Sequence, residues 1–288
     1  MKKNDAAIVF FGTPAFAVHA LNALKDAGLT PDIAVTAPDR PAGRGLQLKA
    51  PPVKDWALEN EIPVLQPTTL KQPAPDTETE QAIELLTNSE WDLFIVAAYG
   101  KILPKYIIEL PHKGVLNIHP SLLPRFRGPS PIESQILADE RKTGVSIMLI
   151  DEEVDHGPVL AQASIELEEW PVKASFLEEL LAREGGTLLA EAIPAWIEGT
   201  LNAIPQEHDK ATFTKKIKKE DGALDLSADP YQNYLKFCAY DGWPGTYFFK
   251  NDTRIKITDA TYENGVFTPL RVIPEGKKEM DYSVFSST

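Results

Sequence analysis

Asn117-Ile118-His119 places an amide and an imidazole two residues apart at the end of an apolar run, Gly114-Val-Leu-Asn-Ile118. On a strand, side chains at i and i+2 face the same way, so Asn117 and His119 would stand side by side at a strand's carboxyl end. Pro120 cannot donate to a ladder and ends the strand there. An amide N–H and a protonated imidazole suit a carbonyl oxygen that gains negative charge during acyl transfer. Asp155-His156-Gly157, which follows the acidic loop Asp151-Glu152-Glu153, offers a carboxylate that can orient a histidine or accept a proton. Taken singly, each fragment also fits a plainer role. The first could be a strand-end pair satisfied by loop backbone, and the second a solvated acidic turn.

Two basic segments stand out. Pro38-Asp-Arg-Pro-Ala-Gly-Arg-Gly45 carries Arg40 and Arg44 on a loop with two prolines and two glycines. Arginine suits phosphate recognition, and a solvated surface loop is the alternative. Lys215, Lys216, Lys218 and Lys219 form a second run, which also fits a solvated linker face. Phe11-Gly12-Thr13-Pro14 has the look of a strand-to-helix turn, but it lacks the three glycines of a dinucleotide fingerprint. A nicotinamide-dependent oxidoreductase is therefore disfavoured. The lone Cys238 rules out an internal disulfide and a Cys-based zinc cluster, and it disfavours a thiol mechanism.

The elements that must hold these residues alternate. The continuous apolar run 7–11 and the mostly apolar stretches 33–36, 92–99, 114–118, 145–150 and 159–165 read as strands. Helical patterns fall after Gly12 and over 52–60, 77–87 and 131–138, with Thr13 as N-cap and Pro14 at the first helical position of the first helix. This alternation predicts an α/β fold with a doubly wound, mostly parallel sheet, whose ligands sit beyond the strands' carboxyl ends. After an amphipathic segment at 174–199 the character changes. Short β-type runs from about 209 onward predict a second, mainly β domain. The division expected is a catalytic domain at 1–200, a linker at 201–208 and a C-terminal domain at 209–288.

The chain has 288 residues and a formal net charge of −13, which argues against indiscriminate nucleic-acid binding and leaves room for a local basic patch. Its apolar runs are far shorter than the roughly 20 residues of a membrane span, and the first apolar run is too short for a signal peptide's core. A cytoplasmic protein without a membrane partner is expected, and a monomer, since large apolar surface runs are absent.

Together these segments resemble the methionyl-tRNA formyltransferases, a branch of the folate-dependent formyltransferase family. The resemblance covers the whole chain. It is carried by Phe11-Gly-Thr-Pro14, by the 38–45 loop, by Ala97-Ala-Tyr-Gly-Lys-Ile-Leu-Pro104, by Asn117-Ile-His-Pro-Ser-Leu-Leu-Pro-Arg-Phe-Arg-Gly128 and by Asp155-His-Gly157. It implies a Rossmann-like catalytic domain and a smaller C-terminal OB-like β-barrel. It implies formyl transfer from 10-formyltetrahydrofolate to the amino group of methionine on initiator tRNA, with no metal. A relative acting on an amino-sugar nucleotide is the alternative, and the arginine loop and β-rich C-terminal domain favour tRNA. By resemblance, Asn117, His119 and Asp155 form the catalytic trio. Ser121, Leu122, Leu123 and Pro124 line the folate site, and Ala97, Tyr99, Gly100 and Asp151 wall the pterin pocket. Arg40 and Arg44 approach the acceptor end of the tRNA, and the lysine run at 215–219 contacts phosphates. Two departures are visible. The C-terminal stretch of about 80 residues is short for a complete barrel, and His156 fills the middle of the D-x-G motif, where it could perturb Asp155 or face solvent.

Overall fold

The computed structural model describes residues 6–42 and 47–287. Among them, the strands of the first half are β1 (Ile8–Gly12), β2 (Ile33–Val35), β3 (Arg40–Ala42), β4 (Gln47–Lys49), β5 (Val64–Leu65), β6 (Leu93–Ala97), β7 (Val115–His119), β8 (Lys142–Leu149) and β9 (Val159–Glu166). The helices are α1 (Ala15–Asp26), α2 (Pro52–Glu59), α3 (Thr77–Thr87), α4 (Lys105–Ile108), α5 (Pro131–Leu137) and α6 (Ala174–Ile197). A seven-stranded sheet runs in the order β5-β2-β1-β6-β7-β8-β9. The pairs from β5 to β7 are parallel, whereas β8 pairs antiparallel with β7. The short strand β3, within the predicted 38–45 arginine loop, pairs with β4, just beyond it, in a separate antiparallel ribbon.

Strand periodicity divides the apolar residues between two cores. Ile8, Phe10, Leu93, Ile95, Leu116 and Ile118 face the core that contains α1, α2 and α6 residues, including Leu21, Trp56 and Leu189. Val9, Phe11, Phe94, Val96 and Val115 face the other, with Ile83, Leu86 and Ile107. Helices therefore cover both faces of the sheet. Because Asn117 and His119 share the parity of Val115, they lie on the second face. Gly185 lets α6 close on β7: a Cβ there would stand 2.6 Å from Ile118 Cγ2, the residue between the functional pair.

One predicted cap is corrected. Thr13 does not cap α1; Pro14 occupies the N-cap position in extended conformation. The Thr13 hydroxyl donates instead to the Tyr99 carbonyl oxygen at 3.1 Å, which ties the turn after β1 to the turn after β6.

The C-terminal stretch holds a helix that sequence periodicity did not reveal, α7 (Pro230–Ala239), then β10 (Thr246–Lys250), β11 (Thr253–Glu263), β12 (Val266–Pro274), β13 (Met280–Asp281) and the short α8 (Tyr282–Ser286). The four strands form an antiparallel sheet in that order. This is the expected β-rich unit in reduced form. Asp229 caps α7 by accepting from the Gln232 N–H, and Pro230 opens the helix.

The chain divides into two compact units that do not follow chain order. One comprises 1–127, 144–164 and 179–212, and the other 128–143, 165–178 and 213–288. In the second unit, burial raises the carboxyl of Glu133 on α5 above the usual range, and the charge of Glu178 adds to this. A carboxyl raised in the folded state costs stability at higher pH, and the cost fades as pH falls through its folded value. Glu133→Gln should therefore melt above wild type at neutral pH, with the gap closing as pH falls into the ordinary carboxylate range. Thermal unfolding across that range is the measurement, and a pH-independent gap would exclude this cause.

Candidate active site

β7 brings Asn117 and His119 to the edge of the second face, and each is fixed differently. His119 is buried, with its side chain 5% exposed. Its Nε2–H donates to the Phe126 carbonyl oxygen at 3.0 Å. This settles the tautomer by chemistry, because a carbonyl can only accept. Nδ1 is then the ring atom that faces Asp155, whose Oδ2 lies 3.6 Å away. That gap is too long for a direct hydrogen bond. Asn117 is half-buried. Its amide makes no hydrogen bond to another described residue, so it is available to a substrate oxygen.

Asp155 reaches this point by a detour that the antiparallel strand imposes. β8 ends at Leu149 opposite Leu116, at the far end of β7 from His119. The Ile150 N–H donates to the Val115 oxygen at 2.8 Å. The following loop must turn back to meet the imidazole. Asp155 itself sits at φ +49°, a region that non-glycine residues enter rarely. Gly157 is required by close approach: a Cβ there would lie 2.0 Å from the Leu149 carbonyl oxygen.

The loop that leaves β7 is locked from the inside. Ser121 is fully buried, and its hydroxyl donates to the Arg125 oxygen at 2.6 Å. Ser146 Oγ donates to the Ser121 oxygen at 2.6 Å and accepts from the Leu123 N–H at 3.1 Å. Gln162 Nε2 donates to the Leu123 oxygen at 2.9 Å. Leu123 is buried, while Leu122 and Pro124 are half-buried. Of this segment, Leu122 and Pro124 are thus the more accessible.

A separate cleft of about 460 Å³ opens at the ends of β1, β2 and β6, lined by Thr13, Pro14, Arg40, Lys49, Tyr99, Gly100 and Lys101 among others. Arg40 and Lys49 are direct cross-strand partners in the β3–β4 ribbon, and like charges so placed repel. Burial and the charge of Arg40 both depress the Lys101 amine. Three cations around one cleft suit an anionic ligand. Tyr99 is 3% exposed, and burial pushes its phenol up. Asp39 anchors the ribbon's base: it accepts from Gln66 Nε2 at 2.8 Å and pairs with Lys54 at 2.8 Å. These bonds hold its carboxyl below the usual range.

Ala97 is buried at the end of β6. Asp151 stands at the start of the Asp155 loop, where its Oδ2 accepts from His156 Nδ1 at 2.7 Å. Arg44 lies outside the described residues. Lys215, Lys216, Lys218 and Lys219 are all exposed. The structure thus brings Asn117, His119 and Asp155 together, and it places Arg40, Tyr99 and Gly100 on a common cleft.

Sequence reasoning missed several residues here. Lys49 and Lys101 join Arg40: Lys101 lies in the 97–104 segment but has no role assigned there, and nothing local marks Lys49. Arg127 lies within the long motif after β7 and carries no role by resemblance, yet it is 3% exposed. It donates through Nε and Nη2 to Gln206 Oε1 at 3.1 and 2.7 Å, and through Nη2 to His208 Nδ1 at 2.9 Å. The His208 ring stacks on His156, with centroids 4.1 Å apart and planes 5° apart. His156 is thus held by Asp151 and His208 rather than turned freely to solvent. For Gly157→Ala, the added Cβ should displace the loop and lower turnover at least about tenfold in a folded protein. Steady-state kinetics beside a melting curve check this, and unchanged turnover would mean that the loop absorbs the clash.

Comparison with known proteins shows the family. The formyl transferase family model matches residues 6–193, and the model of the formyl transferase C-terminal domain matches 216–269. The methionyl-tRNA formyltransferase of Chloroflexus aggregans is 45% identical over 253 residues, covering 88% of this chain and 79% of the relative. That of Myxococcus xanthus is 39% identical over 269 residues, covering 93% and 83%. Among solved structures, the methionyl-tRNA formyltransferase from Clostridium thermocellum shares the fold at a TM-score of 0.57 and 18% identity, covering 96% of this chain and 99% of that one. An N-formyltransferase from Helicobacter canadensis does so at 0.65 and 16%, covering 96% and 98%. With both family models matched and relatives of this identity spanning most of its length, the chain is an enzyme belonging to the methionyl-tRNA formyltransferase family.

Proposed function

We propose that Asn117, His119 and Asp155 carry out formyl transfer from 10-formyltetrahydrofolate to the amino group of methionyl-tRNA(fMet), yielding the formylated initiator tRNA. The observation that supports this most is the His119–Asp155 pair at 3.6 Å beside the uncommitted Asn117 amide. The folate co-substrate supplies an activated formyl group on nitrogen. The Asn117 amide donates to the formyl oxygen as it gains negative charge. When the methionyl nitrogen attacks the formyl carbon, it becomes acidic and must lose a proton. Asp155 accepts that proton, and His119 Nδ1 beside it shares the charge. With Nε2–H engaged by Phe126, His119 acts through Nδ1 rather than as a second donor to the oxygen. The dyad then returns the proton to the folate nitrogen as its bond to the formyl carbon breaks.

The binding assignments follow the same logic. Ser121–Pro124, Ala97, Tyr99, Gly100 and Asp151 form the folate side, with Ser121 and Leu123 setting its wall from within. Arg40 and Arg44, joined by Lys49 and Lys101, hold the anionic acceptor end of the tRNA. Lys215, Lys216, Lys218 and Lys219 contact phosphates further along. The chemistry and the grip on the acceptor end then belong to residues 1–200 and the remaining tRNA contacts to 209–288, with 201–208 as the linker. We place the enzyme in the cytoplasm with translation, and as a monomer. Among the described residues no helix is long and apolar enough to cross a membrane.

His119→Ala should lower kcat/KM for formylation of charged initiator tRNA by roughly 10²–10⁴ with the fold retained, and Asp155→Asn should do the same. Near wild-type turnover across pH would remove either residue from the chemistry. Replacing the four lysines by alanine should weaken tRNA binding and flatten its salt dependence by about one unit of slope per lost contact. Affinities measured at several salt concentrations test this, and an unchanged slope would reduce the run to a solvated face.

A further inference from the structure

The Asp155 loop leaves β8 at the wrong end of β7 and has to be held where it meets His119. Gln206 is placed to do this. It is 8% exposed. Its Nε2 donates to the Asp155 carbonyl oxygen at 2.9 Å and to the Gly157 carbonyl oxygen at 2.7 Å. Its Oε1 accepts both the Nε and Nη2 donors of Arg127. One side chain thus makes four bonds with its two donors and one acceptor atom, a set that only an amide supplies. The neighbouring segment is clamped to the loop after β7: Thr212 Oγ1 accepts from the Phe126 N–H at 2.8 Å, and the Thr212 oxygen accepts from the Arg127 N–H at 2.8 Å. Phe126 in turn supplies the carbonyl that fixes the His119 tautomer. Both partners of the dyad are therefore set by one chain segment, 206–212: Asp155 through Gln206, His119 through Thr212 and Phe126.

We infer that Gln206 is a positioning residue for formyl transfer, acting through the backbone of Asp155 and anchored by Arg127. This rests on the reading that Asp155 takes part in the chemistry. Gln206 touches no reacting atom. It holds the loop that carries the carboxylate, in a conformation with positive φ at Asp155 that the chain does not favour by itself. Misplacing a catalytic group by about 1 Å is enough to cost two orders of magnitude in rate.

The test uses the 288-residue chain, three single variants and the Gln206 changes combined with Asp155→Asn. Gln206→Glu keeps an acceptor for Arg127 but cannot donate to the two carbonyls. Gln206→Met has similar shape and no hydrogen-bonding N or O atoms, and it replaces the Glu variant should that one fail to fold. Asp155→Asn calibrates the site. Gln206→Glu or Gln206→Met is expected to lower kcat by about 10–100-fold while KM for both substrates stays within about twofold. In the Asp155→Asn background the same change is expected to add less than about twofold, because residues acting as a unit are not additive. Wild-type kcat in both Gln206 variants, with Asp155→Asn inactive, would overturn the inference and leave the catalytic reading intact. Full additivity with Asp155→Asn would overturn it as well, since Gln206 would then act elsewhere. An active Asp155→Asn enzyme would overturn the catalytic reading itself, a distinct result.

Discussion

The antiparallel pairing of β7 with β8 is the constraint on which the site depends. A fully parallel sheet would deliver the loop after β8 to the carboxyl end of β7, beside His119. The observed register, with Leu116 opposite Leu149 and His119 opposite Ser146, delivers it to the other end. The loop must double back over the sheet face, and every unusual feature around Asp155 follows from that return. The positive φ of Asp155, the close packing of Gly157 on Leu149 and the burial of Gln206 all belong to it. The arrangement also gives β8 a further role beside His119. Ser146, its partner in the ladder, locks Ser121 and Leu123 through its hydroxyl.

His119 shows how backbone chemistry selects a side chain's role. Its Nε2–H is committed to a carbonyl whose residue, Phe126, sits at φ +59° and is itself held by Thr212. That leaves one nitrogen toward Asp155, the arrangement on which the proposed acid–base role of the pair rests. Asn117, one pleat earlier on the same face, makes no hydrogen bond to another described residue and is the donor proposed for the developing oxyanion. The division of labour is thus a consequence of which polar groups the protein has already satisfied.

Charge is distributed to the same end. A protein of net charge −13 repels a polyanion at long range, and compensation has to be local. The β3–β4 ribbon sets Arg40 against Lys49, and Lys101 joins them across the cleft. Mutual repulsion among these groups is relieved when an anion sits between them. Asp39, paired with Lys54 and Gln66, fixes the ribbon's base without neutralising its rim.

The sequence by itself determined the elements that local physics controls. Continuous or mostly apolar runs marked the buried strands, because both faces of this sheet are covered. Gly and Pro punctuation marked their ends, and i, i+2 parity put Asn117 and His119 on one face. The motif resemblance named the reaction, and it pointed to the three residues proposed here to carry it. Tertiary structure alone decided the rest. The β3–β4 ribbon and the two-residue β5 are too short for any period to register. The direction of β8 leaves no trace in composition. Thr13 lost its cap role to a contact with Tyr99, 86 residues away. Arg127, Gln206 and His208 carry no spacing signal, because 79 and 81 residues separate Arg127 from its two partners. They acquire meaning only when two distant loops are brought side by side, where a buried guanidinium and a buried amide must find each other or remain unsatisfied.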